Sequence, residues 1–224
     1  MTARAPQVLA ELVRHGVVPV IRTTEAAVAA TAVDWLVEAG FSTFEITLTI
    51  PGALGLIEQL AKRPGLLVGA GTVLDAGAAR SCVAAGAAYV VSPCLAPEVA
   101  EACRAADVAC VLGALTPTEV LAASRAGADA VKVFPASSMG GPGHIRALRS
   151  VFPGVPLAPT GGIGPDTVGA YLAAGAAFAG VGGELVNEPA IRKGHHAAVT
   201  AVARALLEAR DRARSAQPPP ALDD

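Results

Sequence analysis

Arg125-Ala126-Gly127-Ala128-Asp129-Ala130-Val131-Lys132-Val133 carries the chain from the end of one element to the body of the next through a single glycine. Small helix-forming residues precede Gly127 and a β-branched run follows it. Glycine just past a helix end accepts the left-handed backbone without a Cβ penalty, so these nine residues read as helix end, turn and strand. The layout returns at 38–46 (EAGFSTFEI), 84–91 (AAGAAYVV) and 173–181 (AAGAAFAGV), with Gly40, Gly86 and Gly175 at the turn. Each copy is the helix-to-strand half of a β/α unit.

Working outward from these copies, strands are expected near 17–22, 43–49, 66–70, 88–92, 108–112, 129–134, 155–159 and 178–181. Helices are expected near 25–39, 52–62, 75–85, 96–106, 117–126, 142–150, 166–174 and 189–212, and Pro51, Pro97, Pro117 and Pro165 stand at or near first turns. Eight alternating units predict a closed parallel (β/α)8 barrel of the TIM type. The open doubly wound sheet would want a G-x-G-x-x-G turn after its first strand, and PVIRTTEAA at 19–27 has none. Residues 1–212 are thus expected to form one domain, with a disordered tail over 213–224.

Composition narrows the function. Of 224 residues, 53% are apolar and 16% charged, which fits a large core; the net charge of −2 gives no basic footprint for nucleic acid. The uncharged stretch from Thr167 to Gly183 is Gly- and Ala-rich and reads as helix, turn and strand, not a membrane span. The N-terminus lacks the basic-then-apolar order of a signal peptide, so a cytoplasmic protein is expected. Cys82, Cys94, Cys103 and Cys110 form no C-x-x-C pair and read as small buried hydrophobes; with four scattered histidines, no metal site is expected.

Among three lysines, Lys62 and Lys193 lie in polar surroundings, whereas Lys132 sits within the apolar strand Ala130–Phe134. Both faces of a barrel strand are covered, and an ammonium without water is disfavoured relative to the neutral amine that attacks a carbonyl. In Phe44-Glu45-Ile46-Thr47-Leu48-Thr49 the period of two turns Glu45, Thr47 and Thr49 to the barrel axis, where a carboxylate can carry protons. Arg22 ends strand one, at the end of this fold where active sites gather. Periodicity alone leaves other readings open: Lys132 and Glu45 as a structural ion pair, Arg22 as an ordinary strand-end cation. Gly161 and Gly162 follow strand seven and Gly182 and Gly183 follow strand eight, the two loops where this barrel cradles phosphate with backbone N–H groups.

Over about residues 8–187 the chain resembles the 2-keto-3-deoxy-6-phosphogluconate (KDPG) / 4-hydroxy-2-oxoglutarate (KHG) aldolase family. The motifs are VVPVIR, FEITLTIP, VGAGTVL, YVVSP, LTPTEV, AVKVFPAS and PTGGI. The resemblance implies a cytoplasmic homotrimer acting in carbohydrate metabolism, in the Entner–Doudoroff pathway, without cofactor or metal. Lys132 would form the Schiff base and Glu45 would shuttle protons. Thr72, Pro93 and Thr160 would line the keto-acid end; Arg22, Gly161, Gly162, Gly182 and Gly183 would hold the anion. The implied reaction cleaves KDPG to pyruvate and glyceraldehyde 3-phosphate, and also 4-hydroxy-2-oxoglutarate to pyruvate and glyoxylate. The alternatives are the galactonate epimer, an unphosphorylated keto acid, or a phosphosugar barrel without a Schiff base. Two departures bear on substrate: Thr49 stands where many members carry Arg, and Gly183 where many carry Ser, removing a phosphate contact of roughly 1.5–3 kcal/mol.

Overall fold

The computed structural model describes residues 4–216. Helix α1 (Arg4–His15) leads into β1 (Val17–Ile21), α2 (Ala26–Glu38), β2 (Thr43–Thr47) and α3 (Ala53–Ala61). Then come β3 (Leu67–Gly71), α4 (Ala76–Ala84), β4 (Tyr89–Val91), α5 (Pro97–Ala105), β5 (Ala109–Ala114) and α6 (Pro117–Arg125). The rest is β6 (Ala130–Val133), a 3-10 turn (Ser137–Met139), α7 (Gly141–Val151), β7 (Leu157–Pro159), α8 (Val168–Ala173), β8 (Ala179–Val181), α9 (Glu188–Arg192) and α10 (His196–Ala216). The four repeat glycines do take the left-handed backbone, with φ of 111°, 95°, 89° and 94° at Gly40, Gly86, Gly127 and Gly175.

All eight strands are parallel, in the order β7-β6-β5-β4-β3-β2-β1-β8, and one parallel bridge from Thr160 to Gly180 joins the ends into a barrel. The alternation along the strands separates two cores. Phe44, Ile46, Val90, Leu112, Val131 and Val133 face the helices, while Val18, Tyr89, Val91, Val111 and Ala158 fill the interior. The expected (β/α)8 architecture is therefore the observed one, and the open sheet is excluded by its closure.

Three parts of the sequence reading change. Helix α1 was not expected. Its Val8, Leu9, Leu12 and Val13 join the interior core and plug the barrel's N-terminal end. Asp107 accepts from the backbone N–H groups of Arg4 and Ala5 at 2.7 and 3.2 Å, which satisfies the first turn and holds its carboxyl below the usual range. The carbonyls that end α1 accept from α10: Arg210 donates to His15 at 3.1 Å, and Arg214 donates to Val13 and Arg14. Second, the expected helix over 189–212 is two helices, broken at Gly194 (φ 72°). Third, α10 continues through Ala216, so the first four residues of the expected tail are helical; 217–224 lie outside the described residues.

Candidate functional site

Lys132 is 4% exposed, and its strand neighbours in register are the small residues Gly113 and Ala158. Glu45 projects from β2, and a Cβ on Gly71 would lie only 2.1 Å from its Oε1, so glycine is needed there for the carboxylate to lean across β3. The two meet inside the barrel, with Lys132 Nζ 3.4 Å from Glu45 Oε1. Nζ also lies 5.7 Å from the centroid of the Phe134 ring. Below them Tyr89 is fully enclosed, its hydroxyl 3.3 Å from that of Thr43; burial pushes its phenol well above the ordinary range, with the Glu45 charge adding to the effect. The space among these groups is about 10 Å³, room for roughly one water. A buried amine in contact with a buried carboxylate can exchange a proton with it and can attack a carbonyl when neutral.

Thr160 is shared between this interior space and a mouth cavity of about 470 Å³ above it. Arg22, Phe134, Gly161, Gly162, Gly182 and Gly183 all line that cavity. Arg22 Nη2 reaches the Thr72 hydroxyl at 3.4 Å, and Thr72 holds a left-handed φ of 59°, a costly conformation for a β-branched residue. The Pro93 carbonyl packs where a Cβ on Gly113 would fall, beside the strand position of Lys132. All ten residues singled out from the sequence thus gather at one end of the barrel or just inside it. Lys62 and Lys193 are exposed, as expected.

Thr47 points inward with Glu45 and donates to the Ile21 carbonyl at 3.0 Å. Thr49, expected on the same face, lies beyond the strand in a turn and is exposed, with its hydroxyl 2.8 Å from that of Thr47. Cys82, Cys103 and Cys110 are buried, and burial pushes the Cys82 thiol up to about 11. Cys94 is exposed in the loop after β4, which corrects the reading of all four as buried. Two site residues escaped the sequence reading. Phe134 stands two places after Lys132, a period-two signal that was available. Glu184 lines the mouth cavity directly after Gly183, and no periodicity marks it. Among the described residues no three side chains group as metal ligands, and no helix is long and apolar enough to cross a membrane.

Comparison with known proteins gives a family match, KDPG and KHG aldolase, over residues 8–202. A probable 2-dehydro-3-deoxy-6-phosphogalactonate aldolase of Rhizobium meliloti is 38% identical over 67% of this chain and 72% of its own length. A 2-dehydro-3-deoxy-phosphogluconate aldolase of Pseudomonas aeruginosa is 32% identical, covering 86% of this chain and 88% of its own. Among solved structures, the KDPG aldolase of Legionella pneumophila, with pyruvate captured at low pH as a covalent carbinolamine, superposes with a TM-score of 0.82. It is 32% identical and covers 89% of this chain and 98% of its own.

Proposed function

The chain belongs to the KDPG and KHG aldolase family, and from that premise we propose that it cleaves 2-keto-3-deoxy-6-phosphogluconate through a Schiff base on Lys132. The observation that carries this reading is the 3.4 Å contact of Lys132 with Glu45 inside the barrel, beneath a glycine-lined cavity. The neutral Lys132 amine attacks the C2 carbonyl of the keto acid. A nitrogen proton moves to the C2 oxygen by way of Glu45 to give the carbinolamine, Glu45 passes a second proton to that oxygen, and loss of water leaves an iminium. The Glu45 carboxylate then takes the C4 hydroxyl proton, the C3–C4 bond breaks, and its electron pair moves into the iminium. This releases glyceraldehyde 3-phosphate and leaves an enamine, which takes a proton at C3; water then adds at C2 and pyruvate departs. No separate electron sink is required, because the iminium is one.

Thr72, Pro93 and Thr160 border the keto-acid end in this reading, and Arg22 with the glycines at 161, 162, 182 and 183 meets the distal anion. 4-Hydroxy-2-oxoglutarate would be cleaved by the same steps to pyruvate and glyoxylate. The galactonate epimer is the second reading, supported by the Rhizobium relative at 38% identity. We further assign the chain to the cytoplasm, as a homotrimer serving the Entner–Doudoroff pathway. The test is pyruvate with borohydride. A reduced pyruvyl group should appear on the peptide bearing Lys132 and not on those bearing Lys62 or Lys193. No adduct, or one elsewhere, would remove the Schiff base from this mechanism.

A further inference from the structure

The mouth cavity has two charged side chains in its lining, and they are of opposite sign: Arg22 and Glu184. Glu184 is exposed at the rim of the cavity, and its carboxylate rests over Gly164, where a Cβ would come within 1.8 Å of Oε2 and push it aside. Among the described residues Glu184 has no hydrogen bond or ion pair, and Arg22 has only the Thr72 hydroxyl at 3.4 Å. The two side chains therefore bring no net charge to the cavity. A phosphate monoester at pH 7 carries about −1.5 to −2 and offers acceptors. A carboxylate is also acceptor-only, so it repels such a group and leaves it unpaired on that side. A carbon chain ending in hydroxyls has the opposite fit: its O–H donates to Glu184 while its oxygen accepts from Arg22 or a loop N–H.

We propose that Glu184 is a specificity-determining residue, which opposes a phosphate on the distal end of the substrate and favours a hydroxyl-bearing end. This rests on the aldolase reading and deepens it. The loop glycines and Arg22 still accept the phosphorylated acid, but Glu184 narrows its advantage, so plain 2-keto-3-deoxy sugar acids are substrates as well.

The measurement is kcat/KM on a phosphorylated six-carbon substrate divided by kcat/KM on its unphosphorylated form, for the wild type, Glu184→Gln and Glu184→Asp. Removing the charge at nearly constant shape should raise the ratio about threefold to tenfold, the scale of a partly solvated like-charge contact. Glu184→Asp keeps the charge and should leave the ratio within about twofold of wild type, below that range. A ratio unmoved in Glu184→Gln, or raised equally in both variants, overturns the proposal. Pyruvate trapping on the wild type is read alongside. Failure there overturns the aldolase reading, whereas trapping with an unmoved ratio overturns only the role of Glu184.

Discussion

The two ends of the barrel are built from the same β/α unit and finished in opposite ways. At the N-terminal end, α1 inserts Leu12 and its neighbours into the interior, and both of its own termini are satisfied by side chains from distant elements. At the C-terminal end the interior opens past Thr160 into a cavity edged by glycines, with a buried amine and carboxylate beneath it and a left-handed threonine at its side. One end collects apolar contacts and satisfied backbone groups. The other holds a buried amine and carboxylate, exposed backbone and strain, all of which cost stability. The fold tolerates that cost because the closed end and the helix layer supply the cohesion.

Substitutions can test how cleanly the two roles are separated. The largest effects are expected beneath the mouth. Lys132→Arg should abolish turnover and pyruvate trapping together, since a guanidinium stays protonated and cannot attack. Glu45→Gln keeps the shape but carries no exchangeable proton, so turnover should fall about 10²–10⁴-fold while pyruvate remains trappable, more slowly. Near wild-type turnover in Glu45→Gln would leave the carboxylate a structural partner of the lysine and blur the contrast. At the closed end Leu12, fully buried, should show the reverse pattern. Leu12→Ala should lower unfolding free energy by about 2–5 kcal/mol in denaturant titrations, with kcat/KM of the remaining folded enzyme unchanged. A kinetic defect there would couple the plug to the site. The smallest effect is expected at Gly183, where a side chain would meet open space. Gly183→Ser should strengthen binding of the phosphorylated substrate by up to about 1–2 kcal/mol, read as a lower KM, with stability untouched. A rise in KM would mean that the bare backbone, not a missing hydroxyl, is what the anion uses.

The same contrast explains what could be read from the chain alone. Alternation and repeat spacing are local signals, and they located all eight strands and the inward positions of Glu45 and Lys132. Their contact joins residues 87 apart in sequence, and it follows once the barrel closes. Helix α1 escaped because it belongs to no β/α repeat. Its apolar positions 8, 9, 12 and 13 do follow helical spacing, but the core they join, with members such as Tyr89 and Phe178, is gathered from far along the chain. The break at Gly194 falls in a polar stretch where helix and turn residues mix. Glu184 carries no pattern at all: a charged residue after two glycines reads as ordinary loop until the cavity it borders is seen. Thr49 looked inward because alternation was carried two residues past the end of β2.

The arginine contacts at the end of α1 have a consequence for how the molecule comes into being. Arg210 and Arg214 reach back 195 to 201 residues to the carbonyls of His15, Val13 and Arg14. During synthesis, at about 5–20 residues per second, α1 is therefore made on the order of ten seconds or more before the side chains that cap it. Until then its last carbonyls rely on water. The capping of α1 thus waits for nearly the whole described chain, and a nascent chain halted before α10 would leave those carbonyls without their arginines.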